Sequence, residues 1–241
     1  MKILIMQSKG GVGKSYLAQM LALKADKEKK DVSFVDIDNS TDTLKRYFTN
    51  RKANLKEGLE DLLSFIRVDI LDKNGDIDKD KFDKFIELLI NVDDAVVDFG
   101  AGSSDAFVNY IAKSPSIGKY LNEINVSVAV VISGGSSYNP CVDFLKKIRV
   151  LDGISEKIIL VASEHNGTVI VDGKEITVST AIEAAVQVDV IGGTELVSEW
   201  LDMLNKGITY SAIKTSTVIA RGIRIMDYLE KLFAQLQKNR L

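Results

Sequence analysis

The sequence predicts a single α/β domain spanning residues 1–241, with a doubly wound, mostly parallel sheet flanked by helices. Three observations predict it. Short apolar runs, suited to strands buried on both faces, alternate with segments of helical periodicity along most of the chain. The first apolar run passes through a glycine-rich turn directly into a helical segment. Two later runs end in aspartates, where the carboxyl edge of a parallel sheet gathers functional side chains.

Met1-Lys2-Ile3-Leu4-Ile5-Met6 is the first strand, and Ser15 to Lys30 the first helix, with Leu17, Leu21 and Ala25 on one face. Between them lies Ser8-Lys9-Gly10-Gly11-Val12-Gly13-Lys14-Ser15. Glycines let a backbone turn tightly and come close to an anion, and the N–H groups at a helix N-terminus point toward it. Strand, glycine-rich turn and helix are the context of a phosphate-binding loop, in which Lys14 reaches the terminal phosphates and the Ser15 hydroxyl ligates Mg²⁺. The pattern G-x-x-x-x-G-K-[ST] fails only at its first glycine, which is Ser8. The form K-G-G-x-G-K-[ST], opened by Lys9, fits throughout.

In that form the stretch resembles the ParA/MinD family of deviant P-loop ATPases, which position plasmids, chromosomes and division machinery. The resemblance implies ATP and Mg²⁺ as cofactors, with the nucleotide held by Lys9, Gly10, Gly11, Val12, Gly13, Lys14, Ser15 and Tyr16. It also implies that Lys9 acts across an ATP-dependent homodimer, on the phosphates of the other subunit.

Asp31 to Asp38 reads as the second strand, ending in Asp36 and Asp38, which share a face if the strand stays regular. By resemblance this D-x-D pair helps bind Mg²⁺ and positions the attacking water; read alone, it also suits carboxylates solvated at a turn. The family often follows the pair with proline, where Asn39 stands here. Asp94 to Ser103 is a strand ending in Asp98, a Walker B arrangement in which the carboxylate holds Mg²⁺. The family commonly has D-x-P-A-G here; Gly100 replaces the proline and Ala101-Gly102 match. Gly100 and Gly102 suit a loop that moves on sensing the γ-phosphate, an implication of the resemblance.

Residues 40–66 alternate helical patterns with polar joints, and Leu59, Leu62, Leu63 and Ile66 form a helical apolar stripe. The aspartates of residues 68–80 invite a calcium loop, but glycine falls at the fourth position from Asp72 rather than the sixth; Asn74-Gly75 reads as a hairpin turn. Phe82 to Ile90 follows as an amphipathic helix. Strands are expected at Val126–Ile132, Lys157–Ala162 and Val186–Ile191, and a hairpin on Asp172-Gly173. Helices are expected at Asn139–Val150, Leu196–Leu204 and Val218–Leu236. Relatives often end the strand at 157–162 with an asparagine that reads adenine; Ser163-Glu164-His165-Asn166 departs from that. His165, the only histidine, has no matched acid and nucleophile for catalysis.

A net charge of −3 does not announce a nucleic-acid binder, although a local patch can exist. One cysteine, Cys141, excludes an internal disulfide and a cysteine-rich metal site, and points to a reducing compartment, the cytoplasm. No signal segment precedes the glycine-rich loop, and no apolar run approaches the ~20 residues that cross a bilayer.

The resulting expectation is an ATPase acting as a dimerising switch with slow hydrolysis, serving plasmid or chromosome partition or DNA transfer. Its partners would be non-specific DNA and a protein that stimulates hydrolysis. Residues 206–241 carry seven basic and two acidic residues, and on one helix Arg221, Arg224, Lys231 and Lys238 share an arc of roughly 100°. Gly222 is a potential break in that helix. Two alternatives stand beside this reading. One is a MinD-like positioning ATPase on a membrane surface, with Tyr228 to Lys238 as an amphipathic anchor. The other is a small-molecule ligase on the same fold.

Overall fold

The computed structural model describes residues 1–37, 41–55, 61–186, 203–215 and 219–238. Six parallel strands form one sheet in the order β3-β2-β4-β1-β5-β6. They are β1 (Lys2–Met6), β2 (Val32–Ile37), β3 (Leu63–Arg67), β4 (Ala95–Phe99), β5 (Val126–Ser133) and β6 (Ile158–Ser163). Between them run α1 (Lys14–Glu28), α2 (Thr43–Asn54), α3 (Lys79–Asn91), α4 (Ala101–Lys113), α5 (Pro115–Glu123) and α6 (Tyr138–Arg149). After β6 come a hairpin of β7 (Val169–Val171) and β8 (Lys174–Ile176), then α7 (Val178–Val186), α8 (Tyr210–Thr215) and α9 (Ile219–Lys238).

The central strands are apolar along their length because both faces are covered: Ile3, Leu4, Ile5, Val128, Ala129 and Val130 are all fully or almost fully buried. Strand β1 sits between β4 and β5, so the loop leaving its carboxyl end opens at the point where the chain first moves outward in both directions.

The helix expected around Leu59 to Ile66 is corrected at its end. Leu63–Arg67 is the edge strand, pairing in parallel with β2, and the helix of this region is α2. An edge strand needs less complete cover, and Ile66 is 37% exposed. Apolar residues at 62, 63 and 66 in so short a run fit helical spacing as well as they fit a strand. Both expected hairpin turns form: Leu71 bridges Ile77 around Gly75, and Asp172-Gly173, both at positive φ, join β7 to β8. Asp72 accepts from the N–H groups of Asn74 and Asp76, and no cluster of three potential metal-binding side chains occurs among the described residues. Val186, expected to open a strand, instead ends α7; the rest of the strand expected at 186–191 and most of the helix expected at 196–204 lie outside the described residues.

Helix α9 runs through Gly222 without a break. Its Leu229, Leu232, Phe233 and Leu236 are buried in the core of the chain. Tyr228 meets Tyr16 of α1 with the hydroxyls 3.2 Å apart, and Glu230 takes Lys27 of α1 and Tyr210 of α8. Each buried side chain of this size contributes about 1.5–3 kcal/mol. The apolar face expected of a surface anchor is therefore committed to packing. No described helix is long and apolar enough to cross a membrane.

Candidate nucleotide site

The glycine-rich loop is fastened before it begins to turn. Gln7 is fully buried, and its amide donates to the carbonyls of Val131 at 2.9 Å and Cys141 at 3.4 Å while its oxygen accepts from the Ser8 N–H. The loop then passes through two left-handed residues, Gly11 at φ 72° and Gly13 at φ 104°, a region where only glycine is unstrained. Val12 between them is buried, and Gly10 and Gly11 face open space where a Cβ would stand. Gly13 caps α1, and no acidic side chain of the first turn offsets the positive end of the helix.

Lys14 is 8% exposed, and its ammonium donates to the Lys9 carbonyl at 3.3 Å, so the side chain folds back across the loop. Lys9 is exposed on the rim and Ser15 is half-buried. Tyr16 takes part differently from the others: its side chain is buried and directed to Tyr228, so it adds no side-chain group to the loop.

Asp36 and Asp98 come together across β2 and β4, as register partners about 1% exposed. Asp98 is also the partner of Ile5 on β1, which places it beside the strand that feeds the loop. The Arg67 guanidinium approaches Asp36 at 4.0 Å and pairs with Asp42 at 2.6 Å. Asp38 lies outside the described residues. The turn expected after Asp98 is a single residue. Gly100, at φ −62° and ψ 163°, is the N-cap of α4, and Gly102 already belongs to the helix. That φ lies in the range a proline ring enforces, so the backbone here is one that proline also adopts. Helix α4 is tied to the site: Ser103 donates to the Ile37 carbonyl at 2.9 Å, and Ser104 accepts from the Gln7 N–H at 3.2 Å.

The loop after β6 closes the other side. Asn166 donates to the Gly11 carbonyl at 3.3 Å, and the Ser163 hydroxyl lies 3.4 Å from where a Cβ on Gly13 would be. The sequence singled out Ser163–Asn166 only as a departure from an adenine-reading pattern. Nothing local shows that residues 155 positions apart meet, because the parallel sheet brings them together. The His165 side chain lies outside the described residues. Cys141 is fully buried behind the loop, and burial pushes its thiol above the usual range against the opposing pull of the Ser133 backbone, Lys14 and Lys9.

A cavity of about 420 Å³ lies at the opposite, amino end of the sheet, lined by Leu21, Val32, Val96 and Gln237. Its Glu28 is paired with both Lys24 and Lys30 at 2.8 Å, so its charges are already matched. It has neither the glycine loop nor the strand-end carboxylates.

A glycine loop leading into a helix, a lysine folded over it and carboxylates on the adjacent strand ends define the class: a P-loop NTPase. Residues 1–64 match the model of the ParA family, described as NUBPL iron-transfer P-loop NTPase. No curated protein matches the sequence. Among solved structures, a Borrelia burgdorferi B31 protein assigned to plasmid partition, bound to AMPPNP, is 14% identical, covers 98% of each chain and superposes with a TM-score of 0.56. The MinC:MinD cell division complex of Aquifex aeolicus gives 17% identity over 93% of this chain and 95% of that one, with a TM-score of 0.58. Apo McdA from Cyanthece gives 15% identity over 100% and 99%, with a TM-score of 0.57. The family match spans the first strand, the glycine loop and the second strand, and the structural matches show that the chain shares the fold of these proteins.

Proposed function

We propose that this chain is an ATP-dependent molecular switch that hydrolyses ATP slowly and joins two copies face to face while ATP is bound. We assign it to plasmid or chromosome partition or to DNA transfer, in the cytoplasm, as one domain over residues 1–241. The observation that carries this reading is Lys14 folded over a left-handed glycine loop with a second lysine, Lys9, exposed at its rim.

In this reading the N–H groups from Gly10 to Tyr16 bind the phosphates, and the Lys14 ammonium offsets their charge. Ser15, Asp98 and the D-x-D pair Asp36 and Asp38 are hard oxygen donors of the kind Mg²⁺ takes. Bound there, Mg²⁺ supplies charge neutralisation on the phosphate oxygens. Asp38 orients the attacking water. Lys9 extends to the phosphates of the second copy. A partner protein stimulates hydrolysis and separates the copies, and the basic residues of α9 meet DNA without regard to sequence. The buried apolar face of α9 favours this over a membrane surface, since anchoring would strip Leu229 to Leu236 from the core.

The test is size exclusion with light scattering in Mg-ATP and Mg-ADP, together with calorimetric ATP binding, for wild type and Lys14→Ala. The mass is expected to double in ATP only, and Lys14→Ala to bind no ATP. A wild type that binds ATP and stays monomeric rejects the switch; unchanged affinity in Lys14→Ala rejects the phosphate-loop assignment.

A further inference from the structure

The loop after β6 is itself held on both sides of Asn166. On one side Glu164 accepts from the N–H groups of Val178 at 2.9 Å and Ser179 at 3.0 Å, capping the start of α7. On the other, the Thr168 carbonyl accepts from the Gly135 N–H at 2.9 Å. Gly135 packs so closely that a Cβ there would stand 2.5 Å from the Asn166 carbonyl. From this fixed wall the Asn166 amide donates to the Gly11 carbonyl at 3.3 Å.

In a trans peptide the C=O and the following N–H point in opposite directions. A hydrogen bond on the Gly11 carbonyl therefore sets the direction of the Val12 N–H. Val12 is buried on one side of this peptide, but on the Gly11 side no side chain helps to fix it: Gly11 is in a left-handed conformation with open space at its Cβ position. A donor aimed before the anion arrives saves the ordering cost at binding.

We propose that Asn166 is a positioning residue of the phosphate loop, which by holding the Gly11 carbonyl presets the Val12 N–H toward the bound polyphosphate. This rests on the nucleotide-site reading above. It assigns Asn166 to the phosphates through the loop backbone, so its influence extends to a ligand that has no base.

The experiment titrates Mg-ATP and inorganic Mg-tripolyphosphate into wild type, Asn166→Ala and Asn166→Asp. The Val12 amide resonance of the ligand-free proteins and their thermal midpoints are recorded alongside. Asn166→Ala is expected to weaken both probes by about fivefold, the loss of one neutral hydrogen bond, and to shift the Val12 resonance. Asn166→Asp keeps the shape of the side chain but removes the donor and adds charge, and is expected to weaken both probes further. Asn166 is exposed, so neither change should move the thermal midpoint. Should both variants lose ATP affinity and keep that for tripolyphosphate, Asn166 addresses the base and the proposal is overturned. Unchanged affinity for both probes also overturns it. A wild type that binds neither probe removes the nucleotide-site reading, and this inference with it.

Discussion

Asp36 on β2 and Asp98 on β4 are register partners, so two buried carboxylates stand side by side at the carboxyl end of the sheet, next to the strand that feeds the glycine loop. Two like charges in one buried site repel unless a cation stands with them. The Arg67 guanidinium, at 4.0 Å from Asp36, supplies part of that on the edge side. On the loop side a bound Mg²⁺ would supply the rest.

The D-x-D pair is expected to act in hydrolysis more than in binding. Asp38→Ala, and to a lesser degree Asp36→Ala, should bind ATP and hydrolyse it on the order of 10²-fold more slowly, the low end for a positioned acid–base group. Single-turnover hydrolysis measured beside calorimetric affinity checks this. Wild-type rates in both variants reject the pair as catalytic.

Lys9 is exposed on the rim and its side chain is free of the role its carbonyl plays for Lys14. Lys9→Ala is expected to keep most of the ATP affinity and to lose the ATP-dependent dimer. Hydrolysis should fall on the order of 10³-fold, as when a cation supplied in trans is removed from a phosphoryl-transfer site. A variant that dimerises and hydrolyses normally rules out the trans role.

For DNA, helix α9 runs unbroken past Gly222, the one potential break in it. Lys231 and Lys238 are exposed on it; the side chains of Arg221 and Arg224 lie outside the described part of the structure. Duplex affinity in ATP should fall steeply with salt, since each neutralised phosphate releases counterions. Arg221→Ala with Arg224→Ala should flatten the log–log slope by about one unit per lost contact and leave ATP binding unchanged. Identical slopes, or a wild type that fails to bind at low salt, take this patch out of the mechanism.

Arg51 supports a prediction independent of the nucleotide. Its side chain is 2% exposed and donates to Asp26 at 3.0 Å and to Asp61 at 3.1 Å, while Asp26 also accepts from the Tyr210 N–H at 2.7 Å. One guanidinium thus ties α1, α2, the approach to β3 and the start of α8. Arg51→Ala takes the guanidinium away from two partly buried carboxylates and should cost about 1.5–3 kcal/mol, the range for hydrogen bonds to charged groups. Urea unfolding measures it, and a loss within about 0.5 kcal/mol, the range of ordinary surface changes, contradicts the assignment.

The course of the glycine loop, from strand through left-handed glycines into helix, was legible from the sequence because its parts are contiguous. Gly10 to Ser15 need only a strand before them and a helix after them, and both have plain periodicity. The two carboxylate strand ends were legible for the same reason, as were the turns at Gly75 and at Asp172-Gly173. Three things depended on the tertiary structure. Strand β3 needed β2 beside it, since a five-residue run of mixed exposure has no decisive period of its own. The role of the C-terminal helix needed the core, because an amphipathic pattern is the same whether its apolar face meets protein or lipid. The meeting of Asn166 with Gly11 needed the parallel crossovers of the sheet, which bring the ends of β1 and β6 to one edge although 155 positions separate the two residues.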